Sequence, residues 1–205
     1  MSYPLAAVLA GRDWLLADGA TGTNLFAMGL EAGEAPELWN ESEPGKVRAL
    51  YEGAIGAGSD VFLTNSFGGN ASRLKLHEAA ARAYELNRLA AEIAREAADA
   101  AGRPVVVAGS MGPTGEIMAP LGPLTVEEAA EIFEEQARGL LAGGADVLWV
   151  ETISSAEEFA AAAAGIARTG APWCGLGRAR ADVTAGDELC DHDHASLGSA
   201  ARAVQ

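Results

Sequence analysis

Apolar residues along the chain fall into two rhythms, short continuous runs and longer stretches at helical spacing. The first run, Trp14-Leu15-Leu16-Ala17, stops on Asp18 and then on Gly19-Ala20-Thr21-Gly22-Thr23. A continuously apolar run closed by a turn reads as a parallel strand buried on both faces. Residues 31–40, with Pro36 and Trp39, are polar and turn-like. Over 46–58, Val47, Leu50, Tyr51, Ala54 and Ile55 recur at helical spacing, and Gly58 fits the C-terminal cap. Residues 60–67 read as a second strand ending in Thr64-Asn65-Ser66. A long helix is predicted over 72–101, with Leu76, Ala80, Ala83, Leu86, Leu89 and Ile93 on its inner face and Gly102 closing it. Residues 104–108 form a third strand, ending in Gly109-Ser110-Met111-Gly112-Pro113-Thr114-Gly115-Glu116. Thr125 and Glu128 have the spacing of a capping box, opening a helix that runs to about Ala142. A fourth strand follows over 146–152. Ser155 then caps a helix over 156–168 ended by Gly170, and 171–175 reads as a fifth strand.

Strand and helix alternate throughout, which means parallel strands joined by right-handed crossovers. A weak internal repeat supports this. Gly56-Ala57-Gly58-Ser59-Asp60-Val61-Phe62-Leu63 resembles Ala142-Gly143-Gly144-Ala145-Asp146-Val147-Leu148-Trp149, each a helix end turning through glycine into a strand. A repeated helix–strand joint suits a (β/α)8 barrel of the TIM type. The rival is an open doubly wound sheet, which wants a G-x-G-x-x-G fingerprint after its first strand; Gly19 and Gly22 do not supply it. The predicted fold class is α/β, a (β/α)8 barrel present only in part, with about five strands over residues 1–175. In 176–205 both periodicities fade, and this tail is expected not to be native barrel sequence. A shifted reading frame or a misplaced gene boundary would account for it; the alternative is a genuine disordered tail.

The chain has 205 residues and is 49% hydrophobic, much of it alanine, as helices packed on a sheet would need. Its net charge of −15 argues against nucleic acid and against an anionic membrane surface as partners. No stretch approaches the ~20 apolar residues of a spanning helix, and Met1-Ser2-Tyr3-Pro4 carries no positive leader segment. Cys174 and Cys190 make no disulfide framework. A cytoplasmic protein is expected.

Each predicted strand ends in polar residues: Asp18, then Asn65 with Ser66, then Ser110, then Glu151 with Thr152. Carboxyl ends of parallel strands are where α/β folds bind ligands. Asp18 brings a carboxylate beside the open backbone of Gly19 and Gly22, and acids at one rim can bind an amine or move a proton. Glu151 closes an apolar run, and a buried acid calls for a cation. Asn65 and Ser66 serve either a ligand or only the loop backbone.

Taken in order, Asp18-Gly19-Ala20-Thr21-Gly22-Thr23, Thr64-Asn65-Ser66-Phe67-Gly68-Gly69-Asn70, Gly109-Ser110-Met111-Gly112-Pro113-Thr114-Gly115 and Val150-Glu151-Thr152 resemble the homocysteine S-methyltransferase family. That family includes the homocysteine domain of cobalamin-dependent methionine synthase and betaine–homocysteine methyltransferase. The resemblance covers about residues 12–175, and the Gly112-Pro113-Thr114-Gly115 loop looks closer to the methionine synthase branch. It implies a (β/α)8 barrel transferring a methyl group to the homocysteine sulfur to give methionine. It also implies that Asp18 and Gly19, with the backbone of Ala20 and Thr21, hold the amino-acid end of homocysteine. Glu151 would bind the ammonium and Asn65 would support the site.

The family binds Zn²⁺ through cysteines, one on a later strand and an adjacent pair near the end of the barrel, so that homocysteine attacks as a thiolate. No adjacent cysteine pair exists here. Cys174 lies too early to match and reads as a small core residue, and His77 as an exposed helix residue. Cys190-Asp191-His192-Asp193-His194 has zinc-like ligand types at a spacing that matches no family site. The expected function is thus a homocysteine S-methyltransferase in a shortened chain that lacks the zinc ligands. The alternative is a non-catalytic amino-acid-binding or half-barrel subunit. Methylfolate through cobalamin, betaine and a methylsulfonium compound all stay open as methyl donors. Self-association, or a partner half-barrel, is expected at the open sheet edges.

Overall fold

The structure is a computed structural model that describes residues 5–177. In chain order the elements are α1 (Leu5–Leu9), α2 (Thr21–Ala27), α3 (Trp39–Ser42), α4 (Pro44–Gly56), β1 (Val61–Leu63), α5 (Ala71–Leu74), α6 (Ala83–Ala100), β2 (Val106–Met111), α7 (Val126–Ala142), β3 (Val147–Ile153), α8 (Ala156–Ala167) and β4 (Trp173–Gly177). Short 3₁₀ turns lie at Pro36–Leu38, Lys75–His77 and Ala80–Arg82.

The strands form one parallel sheet in the order β1-β2-β3-β4. Strand order follows chain order without reversal, which is the arrangement of a barrel wall and not of a doubly wound sheet. The faces confirm it. Val61, Val106, Ala108 and Val147 share one cluster with Leu5 of α1. Their strand neighbours Phe62, Val105 and Val107 turn the other way, onto Val47 and Tyr51 of α4 and Ile93 of α6. Leu148 and Val150 likewise pack on Phe133 and Leu140 of α7 and Ile166 of α8. The crossover helices α4, α6, α7 and α8 stand side by side on this outer layer. Fully burying a side chain such as Phe133 contributes roughly 1.5–3 kcal/mol. The described residues form an incomplete (β/α) barrel.

The internal repeat has a physical content. Gly58 and Gly144 hold φ of +101° and +98°, a conformation open to glycine without strain. Each lets the chain turn from helix to strand, and the aspartate two residues on then clamps the preceding strand. Asp60 Oδ2 accepts the Leu16 amide at 3.1 Å, and Asp146 Oδ2 accepts the Val107 amide at 2.9 Å. An arginine pairs with each, Arg12 with Asp60 and Arg95 with Asp146.

Three expectations need correction. The first predicted strand, Trp14 to Ala17, is reduced to a single bridge between Ala17 and Val61, so among the described residues the sheet has four strands and not five. The helix expected over 72–101 is broken. Glu78 sits at φ +57°, with Glu78 N–H donating to Lys75 C=O and Ala79 N–H to Leu74 C=O. That is a Schellman ending closed on a glutamate where glycine is usual, and Leu76 is consequently 75% exposed instead of inward-facing. The third strand runs on to Met111, because Gly109 leaves room for Leu140 of α7; a Cβ there would lie 3.0 Å from Leu140 Cδ1. The capping box at Thr125 and the cap at Ser155 form as expected. The residues after 177, with Cys190, His192 and His194, lie outside the described residues.

Candidate functional site

The strand-end residues singled out above, Thr152 excepted, open onto one cavity of about 480 Å³ at the carboxyl end of the sheet. Asp18, Gly19, Ala20, Thr21, Asn65 and Glu151 line it together. The first turn of α2 begins at Thr21 and, like every helix start, leaves amides without intrahelical acceptors. This segment is therefore helix where an open loop was expected.

Asp18 is held from one side. Its Oδ2 accepts the Leu63 amide at 3.1 Å, while Oδ1 is buried with no partner. Its pKa is raised to about 6, chiefly by burial; the hydrogen bond from the Leu63 amide opposes the rise and the nearby Glu151 charge adds to it. Glu151 comes off β3 and accepts the Ser110 hydroxyl of β2 at 2.5 Å. Burial raises its pKa too, and the Ser110 bond works the other way. Thr152, directly after it, has φ +64°, strained for a β-branched residue. The β3–β4 register shifts between Glu151 and Ile153 at this point. The bulge re-aims the strand end beside the cavity.

Asn65 plays a different part. Its Nδ2 donates to Pro36 C=O at 2.7 Å and Asn40 Oδ1 at 3.0 Å, and its N–H donates to Tyr51 Oη at 2.7 Å. The amide side chain thereby ties the Pro36–Leu38 turn and α3 to the end of β1. Thr114, in the glycine-rich loop after β2, donates through both N–H and Oγ1 to Glu158 Oε1 of α8, at 2.7 and 2.6 Å. Gly112 lies so close to Phe67 that a Cβ would stand 2.6 Å from its ring. The glycine-rich loop is thus locked to α8 and to the loop after β1.

Sequence reasoning missed three cavity-lining groups. Glu37 is buried and accepts the Gly68 amide at 2.7 Å; burial raises its pKa. Arg73 and His77 line the same cavity on the segment after β1. His77 is half-buried in a 3₁₀ turn, not an exposed helix residue. The break at Glu78 brings it there, and no spacing rule signals a helix that ends on glutamate. Cys174 packs in the inner cluster with Val106 and Val147, a core position.

A sequence model described as homocysteine S-methyltransferase matches residues 15–196. The chain belongs to that family. It is 34% identical over 163 residues to the methionine synthase of Mycobacterium tuberculosis H37Rv, covering 75% of this chain and 14% of that protein. The methionine synthase of Mycobacterium leprae is 33% identical over 165 residues, covering 75% of this chain and 13% of that protein. Among solved structures, the homocysteine methyltransferase MmuM of Escherichia coli superposes in its oxidized form with a TM-score of 0.71 at 27% identity, over 83% of this chain and 64% of that one. Its metallated form gives 0.70 at 28%, over 83% and 65%. The chain thus spans about a seventh of the methionine synthases and about two-thirds of MmuM.

Homocysteine S-methyltransferases are zinc enzymes, so the donor set here can be tested for fit. Among the described residues no group of three His, Cys, Asp or Glu side chains could hold a metal ion. No helix among the described residues is long and apolar enough to cross a membrane.

Proposed function

We propose that the cavity binds homocysteine by its amino-acid end and that the chain is the substrate-binding part of a homocysteine S-methyltransferase barrel. The observation that carries this reading is the buried, unpartnered Oδ1 of Asp18 in the same cavity as the half-buried carboxyl of Glu151. Two acids whose charged forms are disfavoured by burial, neither in an ion pair with the Arg73 or His77 of the same cavity, make a receptor for an ammonium group. The opposite end of an α-amino acid is a carboxylate. The backbone amides from Gly19 to Thr21 are the donors suited to it.

In this reading the ammonium sits between Asp18 and Glu151, each accepting a charge-assisted hydrogen bond from it. The Ser110 hydroxyl bond favours the charged form of Glu151, against the burial that disfavours it. The described residues bind and orient the substrate. We assign them no step of thiol activation, since no group of three candidate ligand side chains among them could hold a metal ion. Methyl transfer to the sulfur belongs to the assembled barrel, and the chemistry of the donor follows from parts of the site beyond this chain's described residues. A cytoplasmic setting goes with this reading.

The open sheet favours a second reading, in which the chain is a half-barrel subunit that binds the amino acid and turns over only with a partner. Calorimetry with L-homocysteine, followed by a zinc-dependent methyl-transfer assay with several donors, separates the two. Binding with turnover supports the enzyme, and binding without turnover supports the subunit. Absence of binding to the folded chain would overturn both.

A further inference from the structure

The Ser110 hydroxyl bond to Glu151 spans two strands, and the peptide that carries it is locked by a closed ring. Ser110 N–H donates to Thr64 Oγ1 at 3.0 Å, and Ser110 C=O accepts from Ser66 Oγ at 2.7 Å. Thr64 Oγ1 and Ser66 Oγ are 2.5 Å apart. A hydroxyl has one proton to give. Ser66 gives its own to the Ser110 carbonyl, so Thr64 donates to Ser66. The ring therefore runs from Ser110 N–H through both hydroxyls back to Ser110 C=O.

One side chain reaches this ring from the helix layer. Gln136 of α7 is fully buried. Its Nε2 donates to Ser66 C=O at 2.7 Å, and lies 3.3 Å from Asn87 Oδ1 and 3.5 Å from Ser110 C=O. All three neighbours are acceptors, which fixes the amide nitrogen, not the oxygen, toward the strand ends. Oε1 is left buried with no partner. Gln136 also interrupts an apolar stripe of Ala129, Phe133, Ala137 and Leu140, where an aliphatic side chain would avoid the orphaned oxygen. Asn87 of α6 extends the cluster, donating to Gly69 C=O at 2.7 Å.

We infer that Gln136 is a positioning residue: from the outer layer it fixes the ends of β1 and β2, and through Ser110 it holds Glu151 in the cavity. For its effect on ligand binding this rests on the substrate reading above; the coupling through Ser110 to Glu151 stands apart from it.

The test is a ¹³C-carboxyl titration of Glu151 in the full chain, its signal assigned by its loss in Glu151→Gln. Ser110→Ala removes a bond to the charged carboxylate and raises the midpoint. Gln136→Met raises it in the same direction by roughly 0.3–0.5 units, a two- to three-fold gain in proton affinity. In the Ser110→Ala background Gln136→Met adds nothing. Phe133→Leu, buried on the same helix but outside the ring, leaves the midpoint in place, with Asp18 facing Glu151 in every variant. Gln136→Asn, polar but one methylene short, behaves like Gln136→Met and serves if the latter does not fold. An unmoved Glu151 midpoint in the Gln136 variants, or additive effects in the double variant, overturns the inference. Homocysteine affinity is measured in parallel. If the wild type shows none while the coupled titration persists, the substrate reading fails and the positioning role stands.

Discussion

The Leu63 amide donates to Asp18 Oδ2 at 3.1 Å, and Oδ1 of the same carboxylate is buried with no partner. The strand end thus aims the acid at the cavity without satisfying it. A ligand cation would complete the site, and below about pH 6 a proton does so, the pKa being raised to about 6 from an ordinary 3.8.

The sign of the resulting pH dependence follows from linkage. A carboxyl that holds its proton more tightly when folded stabilises the fold most below about pH 4, and this contribution is lost as pH rises through 6. Glu151, also raised by burial, acts in the same direction. Asp18→Asn should therefore gain on the wild type between pH 4 and 7, by about 1–2 kcal/mol once partial exposure is allowed for. Urea midpoints at the two pH values check it. A wild type that gains stability over the variant as pH rises would show that Asp18 is already paired.

Glu151 and Asn65 should separate binding from folding. Glu151→Gln leaves the fold in place and weakens homocysteine binding roughly tenfold or more, the loss of a charge-assisted hydrogen bond worth ~1.5–3 kcal/mol. Asn65→Ala releases the Pro36 carbonyl and Asn40. It should lower stability by about 1–3 kcal/mol and change affinity far less in the chain that remains folded. Calorimetry and denaturant melts on both variants distinguish the two roles; equal affinities for wild type and Glu151→Gln would remove Glu151 from the site.

Most of this was legible because barrel units repeat one physical pattern. The Val-Val-Val core of β2, the Thr125–Glu128 capping box and the glycine–aspartate joints at Asp60 and Asp146 are local signals, and the structure uses each as read. The strand-end positions of Asp18 and Glu151 were legible because each acid closes an apolar run, and both line the cavity. Gln136 carried a signal that was passed over, a polar residue on the buried stripe of an amphipathic helix. Arg73, His77 and Glu37 carried none. Their place in the cavity depends on the left-handed turn at Glu78 and on the packing of the Pro36–Leu38 turn against Gly68, both tertiary outcomes.

Thr114 and Glu158 offer a test of the glycine-rich loop. Glu158 is buried, and its Oε1 takes both bonds that Thr114 donates. Thr114→Val keeps the volume and the N–H but deletes the hydroxyl, which should destabilise the fold by about 1–3 kcal/mol. Glu158→Gln, with a neutral acceptor still in reach, should have a smaller effect. Thermal melts of the two variants decide it; a Thr114→Val chain as stable as the wild type would mean that the loop is held by the Phe67–Gly112 contact and the Asn70 side chain instead.

The open sheet leads to a prediction about association. The segment beside β1 pairs through a single bridge, and among the described residues β4 pairs only with β3. On the first of these edges Trp14 is 66% and Leu16 44% exposed. Unpaired strand edges flanked by large apolar side chains template further pairing, and a charge placed there opposes it. The chain's net charge of −15 repels other copies at low salt, so association should strengthen as salt screens it. We expect concentration-dependent self-association in sedimentation at physiological ionic strength. Replacing both apolar groups, Trp14→Lys with Leu16→Lys, should shift the distribution toward monomer. A supplied fragment carrying the remaining strands of a family barrel should compete with it. A wild type that sediments as one sharp monomer at every concentration, with a single cooperative melt, would mean that the edges are already covered and that the half-barrel stands by itself.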